Sequence, residues 1–170
     1  LRCLPPFERL PRCSGTVVIA ASGPSLEKAA DVIAPVHDRA QLWALPSAVA
    51  PLHAAGLAPD MIVLTDPGFY ATRHLAAPRL SPDTPVAMPL TAARGAWSVS
   101  NRVVLLQQQL PFEEVAFAPG AITGTSVAES GTVAGTALEL ALQAGFERVV
   151  FAGLDLCSAD LTAHARPDLL

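Results

Sequence analysis

The chain has 170 residues, of which 51% are hydrophobic and 15% charged, and its formal net charge is −4. This length fits one domain with a full core, and the composition excludes a disordered or low-complexity chain. The acidic balance provides no basic surface for nucleic acid or an anionic membrane. No run of about 20 apolar residues predicts a membrane helix.

The three cysteines, Cys3, Cys13 and Cys157, are odd in number and lack the C-x-x-C spacing of a zinc site. We therefore expect free thiols, no metal site and a reducing, cytoplasmic compartment. The chain does not begin with methionine, and no secretory signal opens it. We expect a piece of a longer protein, with a Pro-rich lead-in at residues 1–14 and one domain at 15–170.

Short β-branched runs alternate along the chain with Ala- and Leu-rich stretches. We predict strands at 17–21, 41–45, 61–65, 86–89, 103–107 and 148–152. Helices are predicted at 26–36, at 47–55 with Ser47 as N-cap, and at 132–144. Strand and helix in repeated order predict an α/β fold: a doubly wound, mostly parallel sheet with helices on both faces. Trp43, Trp97 and the Phe residues are predicted in the core.

The first strand ends at Ser22-Gly23-Pro24-Ser25, directly before a helix. Sheets of this kind bind ligands at the carboxyl ends of their strands. Gly23 lacks a Cβ and would let a ligand approach the backbone, and Pro24 suits the first helical position. The free N–H groups and the helix dipole favour an anion such as phosphate, with Ser22 and Ser25 as hydroxyl donors. The alternative is that Ser22 or Gly23 only caps the helix.

Ser130-Gly131-Thr132 precedes the longest predicted helix and repeats this pattern. Two such helix starts at one edge of a sheet predict a ligand with a phosphate and a second acidic group. The alternative is a long loop with an N-cap at Ser130 or Thr132.

Three further polar residues follow predicted strands or lie outside the predicted helices. Asp66 is a candidate to accept ribose or sugar hydroxyls or to hold a metal ion. The alternative is that it only begins an Asp-Pro-Gly turn. Asp155 either lines the same crevice or caps a turn. His164 is a candidate base because it lies outside the predicted helices. The other histidines are interpreted as surface or helix-end residues: His37, His53 and His74.

Four segments in order resemble the MptE-like domain: ASGPSLEKAADVI, LHAAGLAPDMIVLTDPG, SGTVAGTALELALQAGFERVVFAGLDL and TAHAR. That domain is shared by archaeal 6-hydroxymethylpterin diphosphokinases and bacterial motility-associated factor proteins. The latter are similar to sialyltransferases that use a CMP-activated nine-carbon sugar acid. The resemblance implies a Rossmann-like nucleotide-binding core over nearly the whole chain.

The resemblance also implies roles for single residues. The nucleotide would lie against Ser22, Gly23, Pro24 and Ser25, with Asp66 beside its sugar or phosphates. The acidic part of the donor would lie beside Ser130, Gly131 and Thr132. Asp155 would close the crevice, and His164 would lie near it. Asp66 and His164 are the candidate catalytic residues. Motility-associated members often have Gln before the Asp of the last motif, where this chain has Leu154.

The leading expectation is a bacterial glycosyltransferase-like domain that binds a CMP-activated nonulosonic acid for flagellin glycosylation, with no cofactor implied. One alternative is diphosphate transfer from ATP to 6-hydroxymethyl-dihydropterin, which would require Mg²⁺. A second is a non-catalytic nucleotide-binding module. We also expect Gly23→Val to leave the fold largely intact and to abolish nucleotide binding.

Overall fold

The computed structural model describes residues 7–75, 80–99, 102–117, 123–128, 130–158 and 161–168. The strands are β1 (Phe7–Glu8), β2 (Thr16–Ala20), β3 (Ala40–Ala44), β4 (Met61–Val63), β5 (Val86–Pro89), β6 (Val103–Gln107), β7 (Thr125–Ser126) and β8 (Arg148–Ala152). The α-helices are α1 (Leu26–Ile33), α2 (Val49–Ala54), α3 (Phe69–Leu75), α4 (Pro111–Phe117) and α5 (Val133–Ala144). Short 3-10 helices lie at Ala34–Arg39, Pro46–Ala48 and Arg94–Ser98.

The strands form one sheet in the order β1-β6-β5-β4-β3-β2-β8, and β7 also pairs with β6. Every pairing between described strands is parallel. In the centre, Ile19 of β2 lies between Trp43 of β3 and Phe151 of β8. The predicted α/β fold, a Rossmann-like and mostly parallel sheet, is confirmed.

Strand β2 shows how the sheet is covered on both faces. Val18 and Ala20 belong to the core cluster that includes residues of α1, α2 and α3. Val17 and Ile19 belong to the opposite cluster, which α5 supplies. Because both faces are packed, the strand reads as a continuous apolar run and not as an alternating one.

Several predicted boundaries shift in the structure. The first helix ends at Ile33, because residues 34–39, with Pro35 in the first turn, continue as a 3-10 helix. Ser47 lies inside a 3-10 turn and does not cap the second helix, which begins at Val49 after Ala48 as N-cap. The third strand was predicted to reach residue 65 and ends at Val63.

Four elements were not predicted: β1, α3, α4 and β7. Strand β1 lies in the lead-in segment and pairs with β6, so residues 7–8 belong to the sheet. Trp43 is buried as predicted, and Trp97 packs partly buried against the core. Phe69, Phe112 and Phe151 are 71%, 49% and 36% exposed, so the core prediction is wrong for these three residues.

Two further predictions concern thiols and membranes. Cys13 and Cys157 are free thiols, as predicted, and Cys3 lies outside the described residues. Among the helices that the structure describes, none is both long and apolar enough to cross a membrane.

Candidate functional site

The strand order reverses at β2. From β2 the chain builds the sheet in one direction through β3, β4, β5 and β6, whereas β8 pairs with the other side of β2. In open α/β sheets a crevice opens outside the carboxyl ends of the strands at such a switch point. The topology therefore brings the stretches after β2, β4 and β8 to one edge, together with the start of α5, which packs against β2 and β4.

The turn between β2 and α1 is held by residues that follow β8. The Gly23 N–H donates to the Gly153 carbonyl at 2.7 Å, and the Ser25 N–H donates to Asp155 Oδ2 at 2.8 Å. The Ser25 hydroxyl donates to the other oxygen, Asp155 Oδ1. These bonds lower the pKa of Asp155, the hydroxyl more than the N–H. Asp155 thus takes the turn-capping role, and its carboxylate is the anion at the start of α1.

The space around Gly23 is filled by the protein itself. A Cβ at this position would lie 2.5 Å from both the Gly153 carbonyl oxygen and Asp155 Oδ2. Such contacts are far too short, so the missing side chain is required by the approach of two loops. The predicted contacts of Gly23, Pro24 and Ser25 with a nucleotide stay predictions.

Ser22 and His164 meet at the carboxyl end of β2, although they are 142 residues apart in sequence. Ser22 is 8% exposed, and its Oγ lies 3.0 Å from His164 Nδ1. The Ala165 N–H donates to the Ser22 carbonyl at 2.7 Å, and the Arg166 N–H donates to Glu27 Oε1 at 2.9 Å. Residues 161–168 therefore cross the start of α1 and carry His164 to the predicted edge.

Asp66 follows β4 and is exposed. Its Oδ1 accepts the Gly68 N–H at 2.6 Å, so the residue does begin the Asp-Pro-Gly turn. No group within the described ranges donates to Oδ2. One carboxylate oxygen thus orients the side chain, and the other is open to a hydroxyl or amine donor.

The start of α5 differs from that of α1 because no side chain from a distant part of the described chain caps it. Thr132 is the N-cap, and its Oγ1 accepts the Gly135 N–H at 3.0 Å. Gly131 has φ +69°, and a Cβ there would meet nothing within 4 Å. Among described residues none accepts from the N–H groups of Val133 and Ala134. Gly131 and Thr132 are exposed, whereas Val133 is half-buried and Ala134 is buried, so two donors lack a described partner at a partly exposed helix start.

Sequence reasoning missed His74, which it placed among surface or helix-end residues. His74 lies half-buried in the last turn of α3 and interacts electrostatically with Asp168, His164 and Asp66. Burial lowers its pKa more than any neighbouring charge does; Asp168 and Asp66 raise the pKa, whereas His164 lowers it further. The sequence could not place His74 near Asp66 and His164 because α3, which carries it, was not predicted.

A groove of about 740 Å³ lies beside this edge, between α1 and β8. Its walls are largely apolar and include Val32, Val36, Val150 and Phe151, which are 36–70% exposed. It contains neither Asp66 nor any residue of the α5 start. Ser25 and Asp155 line the groove too, as do Arg39 and Arg148. We interpret the groove as the uncovered outer face of an edge strand.

Metal ligation was considered for the same edge. Within the described ranges, no three His, Cys, Asp or Glu side chains are grouped so that they could hold a metal ion.

Comparisons with known proteins identify the family of this chain. The family model described as 6-hydroxymethylpterin diphosphokinase MptE-like matches residues 3–160. The chain belongs to the MptE-like family. The family resemblance seen in the sequence is confirmed.

Two relatives extend this result. An uncharacterized protein of Treponema pallidum (strain Nichols) is 32% identical over 152 residues, which are 89% of this chain and 33% of that protein. The structure of the Maf glycosyltransferase from Magnetospirillum magneticum AMB-1 has a TM-score of 0.74 and 26% identity, covering 93% of this chain and 25% of that one. This chain thus spans about a third of the first relative and a quarter of the second. The family match and the structural likeness support a glycosyltransferase-like domain.

Proposed function

We propose that this chain is the nucleotide-binding domain of a glycosyltransferase of the motility-associated type. It binds a CMP-activated nonulosonic acid, and the whole protein transfers the sugar to a flagellin hydroxyl. The observation that carries the proposal is the start of α5 at the switch point of the sheet, where two N–H donors have no partner among the described residues and residues 130–135 carry no charged side chain. The likeness to a Maf glycosyltransferase over 93% of this chain supports the reaction class.

The start of α5 suits the acidic part of such a donor. The N–H groups of Val133 and Ala134 point out of the helix and favour an anion together with the helix dipole. Ser130 is exposed, and its hydroxyl donates to the Thr132 carbonyl at 3.2 Å and lies 3.0 Å from Thr136 Oγ1, so it would turn from these neighbours to reach a ligand. Gly131 leaves room for the approach of the ligand. The phosphate of CMP would lie here, and Asp66 would accept a sugar hydroxyl through Oδ2.

The transfer itself is a displacement. The acceptor oxygen forms a bond to the anomeric carbon, and the bond from this carbon to the phosphate oxygen breaks, with its electron pair leaving on CMP. The acceptor proton passes to a base. His164 is the candidate, because its Nδ1 is held by Ser22 while no described residue bonds to Nε2.

Diphosphate transfer is the second candidate, because the matching family model is described as a 6-hydroxymethylpterin diphosphokinase. That reaction would require Mg²⁺ to neutralise the ATP phosphates. Asp66 would then bind the cation through its open oxygen, whereas Asp155 is already bonded to Ser25.

Calorimetry with CMP, CTP and ATP, each with Mg²⁺ or EDTA, separates the two candidates. We expect both cytidine nucleotides to bind with or without EDTA, and Asp66→Asn to weaken binding about five-fold through one lost charge-assisted hydrogen bond. Asp38→Asn is the matched control, since Asp38 is exposed and lies before β3 at the opposite edge of the sheet. Binding of ATP alone, only with Mg²⁺ and lost in Asp66→Asn, would establish the diphosphokinase instead.

A further inference from the structure

Two aromatic side chains are exposed at the start of α3, directly after the Asp66 turn. Phe69 is 71% and Tyr70 63% exposed, and their ring centroids lie 5.8 Å apart in an edge-to-face contact. Neighbouring aromatic rings that remain largely in water offer a stacking surface for another ring. This pair lies at the same edge of the sheet as the candidate site.

Tyr70 and His74 lie on one face of α3, because they are four residues apart. His74 interacts electrostatically with Asp66 in the preceding turn, and with His164 and Asp168 in residues 161–168. Tyr70 and His74 on α3 and Asp66 in the turn before it therefore all lie near the carboxyl end of β4.

The charges of this cluster disfavour a phosphate. Burial lowers the pKa of His74, so its imidazole is neutral at neutral pH, and Asp66 and Asp168 are acidic. Arg73 follows another face of the helix, since adjacent helical residues do not face each other. The start of α5, in contrast, offers N–H donors, and its residues 130–135 include no acidic side chain; the nearest in sequence is Glu129. A nucleotide that spans both would place its phosphate at α5 and its uncharged rings at α3.

We propose that Tyr70, His74 and Asp66 form a nucleoside subsite, an inference that rests on the proposed nucleotide-binding function. The aromatic pair stacks on the base, and Asp66 Oδ2 accepts from a ribose hydroxyl or an exocyclic amine. The neutral imidazole of His74 exchanges one further hydrogen bond with the nucleoside. Neither aromatic residue was singled out by the sequence, which placed Phe69 in the core.

The test compares three probes: cytidine, CMP and inorganic phosphate. Tyr70→Ala should weaken binding of cytidine and CMP to a similar extent, about ten-fold, because one base stack is lost. Phosphate binding should not change, and Tyr70→Phe should bind CMP nearly as well as the unchanged chain. His74→Gln should weaken cytidine and CMP several-fold. Phe112→Ala is the matched control, an exposed aromatic on α4.

The outcomes distinguish this inference from the function on which it rests. If the unchanged chain binds CMP and Tyr70→Ala and His74→Gln bind it equally well, the subsite is refuted and the proposed function stands. An equal loss in Phe112→Ala also refutes the subsite. If the unchanged chain binds none of the three probes, both proposals fail. Because Tyr70 lies largely in water, its variants should unfold at the temperature of the unchanged chain, and a scan checks this.

Discussion

The starts of α1 and α5 have similar sequences and different surroundings. Both follow stretches of Gly, Ser or Thr, and both lie at the carboxyl edge of the sheet. At α1 the carboxylate of Asp155 already accepts from Ser25, whereas α5 is capped by its own Thr132 and is otherwise open. Local sequence thus creates a place for an anion, and a residue 130 positions away decides whether the protein fills it.

The largest expected effect concerns the two glycines. In Gly23→Ala the new Cβ would collide at 2.5 Å with the Gly153 carbonyl and Asp155 Oδ2. We expect the free energy of unfolding to fall by about 3 kcal/mol, as for overpacked sites. Gly131→Ala should lose only about 1 kcal/mol, since its positive φ is strained but the space is empty. Urea denaturation measures both.

Equal losses of unfolding free energy in Gly23→Ala and Gly131→Ala would show that the loop after β8 moves away from the new Cβ at position 23 at little cost. The same geometry revises the expectation for Gly23→Val. A larger side chain in this space must displace the loop after β8, so loss of stability should accompany any loss of nucleotide binding.

The next effect concerns the carboxylate itself. Asp155→Asn places an amide N–H₂ where one oxygen accepts from Ser25, so α1 loses part of its cap. We expect a loss of about 1 kcal/mol, as for other helix caps. The exposed Asp38→Asn serves as the control and should change stability by less than half of that. An unchanged urea midpoint in Asp155→Asn would mean that water replaces the hydrogen bonds from Ser25 to Asp155 without loss of stability.

A third comparison tests which helix start contacts the ligand. Ser130→Ala should weaken CMP binding about three-fold, because its hydroxyl bonds only to the uncharged Thr132 carbonyl and Thr136 hydroxyl and can turn to the ligand. Ser25→Ala should leave the affinity unchanged, since that hydroxyl donates to Asp155. Calorimetry of CMP with both variants decides. If Ser25→Ala weakens CMP binding as much as Ser130→Ala does, the nucleotide displaces Asp155 from Ser25, and the predicted contact between the nucleotide and the start of α1 is correct.

The smallest effect is a pH dependence confined to α1. The bonds from Ser25 lower the pKa of Asp155 in the folded chain below its unfolded value of about 3.9. The stabilisation is therefore complete above that value and is lost as the pH falls through the folded pKa. The stability difference between the unchanged chain and Asp155→Asn should shrink below about pH 4. For Ser130→Ala, which removes a hydroxyl that bonds only uncharged groups, denaturation curves should show a difference that does not vary with pH.

The sequence predicted the sheet because most of its longer strands are apolar, β-branched segments bounded by turn residues, as in residues 148–152. It missed α3, because Pro67 and Gly68 indicated a turn and the exposed Phe69 was interpreted as a core residue. The two alternatives for Asp155 could not be separated, since the answer depends on Ser25, far away in the chain. Turn chemistry is local and can be predicted; the partner of a polar side chain is a property of the folded chain.

The pairing of β8 with β2 has a consequence for how the protein is made. Thr16 and Arg148 lie side by side, 132 residues apart, whereas β2 and β3 are joined by a single helical connection. Contacts between distant residues form slowly, and a growing chain releases its N-terminal part first. Until β8 emerges, one edge of β2 has no strand to pair with and is open to association with other chains. The last strand thus protects the nascent chain and also completes the candidate site.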